Sequence, residues 1–418
     1  MIRTMRALTV LALSLSPLVR PAVARADVVL DWNVVALKTT AAAPFNPPLE
    51  TRNLAIVHAA MFDAVNAIAG EFHPYAVRLR MHENASPAAA AAAAAHAALV
   101  RLYPDQRAVL DAAYATSLAG IPDGARKTAG VAIGEAAASQ ILAARESDGA
   151  TAAITADYTP GSGAGFWRPT VPAFLRALDP GWGAVRPFLL EDGSQFRPGP
   201  PPALDSRRYT RDFLEIKEIG SSASNSRTQE QTDLARFWIA TGPQNWNPVA
   251  RQAAVARALT LSENARMLAL LNLAGADAFI AAWDAKFTYN QWRPVTAIRA
   301  ADIDGNPETV EDPSWTPLLI TPPFPDYIAG HTTYAGAAQK VLEHVFGVRP
   351  RIVFTLTSAT APAVVETYST FRAIADGVVD ARVWGGIHWR TSSVRGRLVG
   401  EEIGRYAAHN FLKPKHER

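Results

Sequence analysis

The stretch TRNLAIVHAAMFDAVNAIAG at residues 51–70 decides how the chain is read. Leu54, Val57, Met61, Phe62, Val65 and Ile68 recur at three- and four-residue spacing, the period of an apolar helix face. The same texture dominates on both sides, with stops made by Gly or Pro. Ser86 and Pro87 form an N-cap and first-turn pair ahead of an alanine run that ends before Pro104. Further helices are predicted over 106–118 and 124–146, and Thr228 with Gln231 forms a capping box at the head of another. A long helix is expected from Ser262 to about Trp292, stopped by Pro294. The one strand-like run is Arg351 to Leu356. Between Tyr158 and Pro202 the chain turns to Pro, Gly and Trp with little periodicity, which fits either a surface wrap or an active-site wall. No fixed-period repeat is found. The reading is an all-α fold, one large helical-bundle domain over 27–418 with long Pro/Gly-rich loops.

Of the 418 residues, 49% are hydrophobic and 19% charged, which excludes a fully disordered chain. There is no cysteine, and therefore no disulfide framework, thiolate zinc site or cysteine nucleophile. Arg3 and Arg6 precede an apolar run from Ala7 to Val19, and Ala24, Arg25 and Ala26 supply a small-x-small cleavage pattern, so residues 1–26 read as a secretory signal. The net charge of +3 belongs to that leader. Its four arginines and no acids, taken from 41 basic and 38 acidic residues, leave 37 against 38 and a formal charge of −1. A general nucleic-acid binder is not expected. Neither is a stable membrane anchor, since the leader's apolar run is short. The expectation is export to a periplasmic or extracellular location, with oligomerisation left open. The GSGAG stretch lacks the lysine of a phosphate-binding loop, and DIDGN lacks most EF-hand ligands.

Three clusters carry chemistry. KFTYNQWRP, residues 286–294, puts Arg293 seven residues after Lys286; on one continuous helix both would share a face about 10 Å apart along the axis and could converge on an anion. Two such cations also fit a solvated helix face, but Phe287, Trp292, Pro294, Val295 and Ile298 leave little room for solvent. PPFPDYIAGHTTYAG begins at Pro322 and runs from a proline-stiffened loop into a helix starting near Gly330 and His331. Backbone N–H groups at a helix start favour an anion, although a lone histidine there can also simply cap. DARVWGGIHWRTSS, from Asp380, places Arg382 and His388 six residues apart across Gly385 and Gly386. As a set, the three clusters describe a cationic cage with two histidines.

In that order, Lys286 to Arg293-Pro294, Gly330-His331 and Arg382 to His388 resemble the three-part signature of the vanadium-dependent haloperoxidases within the type 2 phosphatidic acid phosphatase superfamily. The resemblance covers 286–388 and implies that superfamily's all-α fold, with an oxyanion site formed mainly by 283–392. The length is more similar to a bacterial vanadium haloperoxidase than to a compact acid phosphatase. It implies vanadate as cofactor, with Lys286, Arg293, Arg382 and the Gly330 N–H holding its oxygens, His388 ligating vanadium and His331 serving as acid–base. Hydrogen peroxide, a halide and a small organic acceptor would be the partners, hypohalous acid the product, and Lys286 the group that polarises bound peroxide. Trp283 and Phe324 resemble aromatic pocket positions of chloroperoxidase-like members.

Two positions depart from the pattern. Ala329 stands where serine is common before Gly-His, removing a hydroxyl contact. Ser392 stands where many phosphatase relatives have aspartate, and the missing carboxylate argues against phosphatase chemistry. The alternatives are an exported acid phosphatase acting through a phosphohistidine, and a non-catalytic oxyanion-binding protein. His58, beside Asp63 and Asn66, reads as a satisfied core histidine. His73, His96, His344 and His409 have no motif around them.

Overall fold

The structure, a computed structural model, describes residues 27–77, 79 and 83–415; the proposed leader lies outside them. The helices are α1 Val28–Ala41, α2 Pro47–Ala69, α3 Pro87–Leu102, α4 Arg107–Ala119, α5 Ala125–Arg145, α6 Ala150–Thr155, α7 Arg207–Ile219, α8 Gln229–Phe237, α9 Gly242–Ala256, α10 Leu261–Tyr289, α11 Pro294–Arg299, α12 Gly330–Phe346, α13 Phe371–Trp384 and α14 Arg390–Asn410. One antiparallel hairpin joins β1 (Phe354–Thr357) to β2 (Val365–Tyr368), with Phe354 opposite Tyr368. The strand begins three residues later than Arg351, whose φ of 55° is not extended backbone.

Helix α10 is the axis. It packs on α2 to one side and α12 to the other, while α2 also meets α3 and α5, and α12 meets α13 and α14. By length and composition α10 could cross a membrane, but 94% of its most apolar window is buried among these neighbours. Helix α2 starts at Asn46, whose side chain accepts from the Leu49 N–H, and ends at Gly70 in the left-handed region. It is more buried than an amphipathic stripe requires, and its polar residues are therefore matched internally. His58 Nδ1 lies 2.8 Å from the Leu54 carbonyl and Nε2 2.9 Å from Asn33 Nδ2, which makes it the satisfied core residue expected. Asp63 takes the N–H groups of Tyr75, Ala76 and Val77, pinning the loop after α2.

The alanine run is helical because it is enclosed. Ala89 to Ala95 are all buried, and α5 approaches them so closely that a Cβ at Gly134 would sit 2.3 Å from the Ala90 carbonyl oxygen. The same device joins α12 to α14, where a Cβ at Gly400 would sit 2.0 Å from the Thr333 carbonyl oxygen and 2.8 Å from the Ala337 nitrogen.

The long helix stops earlier than Trp292. Asn290 adopts φ 50°, ψ 36° and closes α10 through its N–H to the Lys286 carbonyl; Arg293, preceding Pro294, is extended and caps α11. Lys286 and Arg293 are therefore not on one helix face, which corrects the reading of KFTYNQWRP. The intervening segment is instead paired with the Gly/Trp-rich loop, Trp292 N–H to the Gly165 carbonyl and Trp167 N–H to the Asn290 carbonyl. That loop is a wrap, held further on by Asp277, which accepts from Phe188, Leu189 and Leu190.

Gly400→Val should lower unfolding free energy by about 3 kcal/mol or more, because the new side chain meets backbone that cannot yield. Gly120→Ala, whose Cβ finds its nearest atom at 3.6 Å, should stay within about 1 kcal/mol by the same denaturant titration. A second expectation concerns acid. Burial holds His58 down at about 4, against an ordinary 6.5. Between those values the unfolded chain takes up a proton the native protein refuses, so stability falls as pH is lowered, by roughly 1.4 kcal/mol per pH unit. Urea unfolding at about pH 7 and about pH 5 should show a smaller acid loss for His58→Gln than for the wild type; an identical loss would refute this.

Candidate functional site

Four helix ends meet at the site. Lys286 lies in the last turn of α10 and Gly330 opens α12. Arg382 lies in the last turn of α13, and His388 follows the Gly385-Gly386 turn, two residues before α14. The turn needs glycine at 386: φ is 74° there, and a Cβ would come within 2.3 Å of the Gly220 carbonyl oxygen. It brings His388 back beneath α13. Lys286 and Arg293 are fully buried, Arg382 and His388 nearly so at 3% and 1%, and only His331 among the five side chains is reached by solvent.

Each cation anchors a distant piece of backbone. Lys286 Nζ donates to the carbonyls of Pro325 (2.9 Å) and Asp326 (2.8 Å). Arg293 donates through Nε to Phe324 O and through Nη1 to Ile387 O, each at 2.6 Å. Arg382 Nη1 donates to Trp238 O at 3.1 Å, and His331 Nε2 lies 3.4 Å from the neighbouring Ile239 O. Donors are left over. Arg293 Nη2 and Arg382 Nε are buried without a partner among the described residues, and an ammonium has three N–H groups, of which Lys286 uses two. Gly330, first residue of α12, has no intrahelical acceptor for its own N–H.

Aromatic rings close one side. The Phe324 ring lies 4.7 Å from the Arg293 guanidinium carbon and 5.0 Å from Lys286 Nζ. Trp283 packs at a tilt against Phe324 with centroids 4.8 Å apart, and its Nε1 donates to Leu178 O in the wrapping loop. The structure thus gathers Lys286, Arg293, Arg382, Gly330, His331, His388, Trp283 and Phe324 at one place, from three stretches of chain.

One residue of the site was missed. Asp326, in the proline-rich loop, is fully buried, with Oδ2 3.1 Å from His388 Nδ1 and 3.8 Å from Arg293 Nη1. Nothing in PPFPDYIAGH distinguishes it from a loop aspartate; the only hint is an acid placed among residues too apolar to hydrate it. It also changes the reading of Ser392. The Ser392 hydroxyl donates to the Asp326 carbonyl at 3.2 Å, and the carboxylate missing at 392 is supplied beside His388 from another loop, so that absence no longer argues against phosphatase chemistry. Ala329 caps α12 without a side-chain bond, its N–H going to Ser392 O. The Trp238–Ile239 backbone, likewise unforeseen, supports both Arg382 and His331.

Burial and mutual repulsion loosen the protons of the cage's basic groups. Burial, then Arg293, pushes Lys286 well below its ordinary value, with Asp326 opposing. Burial holds Arg293 at about 10 and Arg382 at about 9. His388 is held neutral by burial and by the surrounding cations, and His331 by burial and Arg382. Burial raises the Asp326 carboxyl to about 6 against the pull of Arg293 and Lys286. An anion set among these groups would offset the repulsion between cations and tighten their hold on their protons.

Comparison with known proteins bears on the fold that holds these residues. Residues 266–415 match the family model described as the VCPO second helical-bundle domain. Vanadium chloroperoxidase of Curvularia inaequalis is 26% identical over 214 residues, which is 43% of this chain and 34% of that protein, so the match spans about a third of the relative's length. A bacterial vanadium-dependent iodoperoxidase superposes with TM-score 0.80 at 26% identity, covering 93% of this chain and 98% of that one. An apo-type bacterial vanadium-dependent chloroperoxidase shares the fold, with TM-score 0.71 at 20% identity over 88% and 94% of the two chains. With its signature residues gathered at a single buried site, the chain is similar to the vanadium-dependent haloperoxidases, in fold along nearly its whole length and in family model over residues 266–415.

Proposed function

We propose that the protein is a vanadate-dependent haloperoxidase that uses hydrogen peroxide to oxidise a halide to hypohalous acid, which then reacts with a small organic acceptor. The observation that carries this is the pair of orphaned guanidinium donors, Arg293 Nη2 and Arg382 Nε, buried beside a neutral imidazole. Buried N–H donors without acceptors are costly, and a tetrahedral oxyanion satisfies both. The residues therefore fit vanadate, which when bound supplies a Lewis acid that activates peroxide toward halide without changing its oxidation state.

Around that group the chain's own residues divide the work. Arg293, Arg382, the Gly330 N–H and the third Lys286 N–H would hold its oxygens, each charge-assisted contact contributing roughly 1.5 to 3 kcal/mol. His388 would ligate it through a ring nitrogen. His331, neutral and within reach of solvent, takes a proton from hydrogen peroxide at Nδ1 while Nε2 faces the Ile239 carbonyl. Trp283 and Phe324 exclude water from one face. The leader-like residues 1–26 support export to the periplasm or beyond.

A second reading has an observation of its own. Asp326 beside His388 is the arrangement a nucleophilic imidazole needs, which supports phosphate-ester hydrolysis through a phosphohistidine in protein free of vanadate.

Protein loaded with orthovanadate should brominate an acceptor only when peroxide is added; phosphate-ester hydrolysis inhibited by vanadate, without bromination, would favour the second reading. His388→Ala should abolish turnover. His331→Ala should keep vanadate binding and lose about 100- to 10,000-fold in rate, and Arg382→Ala should weaken vanadate binding by roughly 10- to 100-fold. Full activity in His388→Ala would sink both readings.

A further inference from the structure

We infer that Asp326 is the positioning residue of this site, fixing which imidazole nitrogen of His388 meets the oxyanion and lowering the charge of the cage by one. The inference rests on the reading that His388 ligates the central atom of the oxyanion.

The Asp326 backbone is immobilised from three directions. Its N–H donates to Gln291 O at 2.9 Å, and its carbonyl accepts from Lys286 Nζ and from the Ser392 hydroxyl. Lys286, on the preceding carbonyl as well, thus carries the loop that carries the carboxylate. With its backbone held, the side chain lies wholly inside the protein, where neither oxygen has an aligned hydrogen-bond donor among the described residues. A buried carboxylate in that state is tolerated only beside positive charge or a polar hydrogen. Arg293 Nη1 at 3.8 Å provides the first and His388 Nδ1 at 3.1 Å the second.

The contact with Nδ1 is already within hydrogen-bond distance at 3.1 Å, and such bonds commonly tighten when a ligand arrives. Its chemical effect is on the tautomer. A neutral imidazole carries one proton, and a carboxylate at Nδ1 draws it there, leaving the Nε2 lone pair to bind. Arg293 Nη1 lies 3.2 Å from Nε2 and 3.4 Å from Nδ1, too evenly placed to select a tautomer, so the choice falls to Asp326. The second effect is on charge. Lys286, Arg293 and Arg382 together carry three positive charges when protonated; Asp326 reduces the sum to two, which suits a doubly charged tetrahedral anion.

These two effects pull in opposite directions when the carboxylate is removed, and this allows a test. Orthovanadate depends on the His388 nitrogen; inorganic sulfate, of similar shape, depends only on charge and N–H donors. Both dissociation constants are measured by calorimetry on the full chain. Asp326→Asn should weaken vanadate by about 10- to 100-fold and leave sulfate unchanged or tighter. Asp326→Glu keeps the charge but moves it, so vanadate should weaken with sulfate unchanged, and this variant decides the matter if the Asn protein does not fold. Loss of both anions by a similar factor, or an unchanged ratio of vanadate to sulfate affinity in a folded variant, would overturn the role of Asp326. A wild-type protein that binds neither anion would instead remove the reading of the site itself, and this inference with it.

Discussion

Three cations enclosed by an apolar helical body are the constraint on which this structure depends. Removing an ion from water costs several kcal/mol even after relaxation, unless polar groups surround it. Lys286, Arg293 and Arg382 find those groups in backbone carbonyls drawn from remote positions; Arg382 reaches 144 residues back to Trp238, and Arg293 reaches 94 residues forward to Ile387. The bonds that make burial of the charges tolerable are also the bonds that bring the loops together. Fold and candidate site are therefore coupled through the same donors, of which Arg293 Nη2 and Arg382 Nε are left without acceptors among the described residues.

The helices supply the rigidity that such a cage requires. Close backbone contact through Gly134 against α3 and Gly400 against α12 leaves little slack for one helix to slide on another. The polar groups are then displayed at the ends of these rigid elements. Lys286 and Arg382 sit in last turns, where cations also offset the negative end of the helix dipole, and Gly330 opens a helix with its N–H unpaired. Asp326 completes the arrangement from a loop, an acid set near three cations, and its backbone is held by Lys286 as well as by its own segment.

Much of this was legible in the residues. The all-α reading, the capped helix of the alanine run, the capping box at Thr228 and the satisfied His58 all follow from spacing or from short-range chemistry, and the structure agrees with each. The three signature clusters were legible as a set because each pairs a charged residue with glycine, proline or aromatic neighbours that exclude a solvated surface. Other points were not. The long helix was carried through Asn290, whose left-handed conformation depends on the Gly/Trp-rich loop pairing across it. Ser392 was weighed for the carboxylate it lacks, when the carboxylate comes from Asp326, 66 residues earlier.

Local sequence thus determined the helical period, the caps and stops, and the inventory of cations, histidines and glycines, because each of these depends on neighbours within about a helical turn. Only the tertiary structure decided which nitrogens keep a free N–H, which acid stands beside His388, and that a tryptophan carbonyl holds Arg382. Those outcomes depend on contacts between stretches tens to more than a hundred residues apart, and no periodicity along the chain encodes the direction in which a buried donor points.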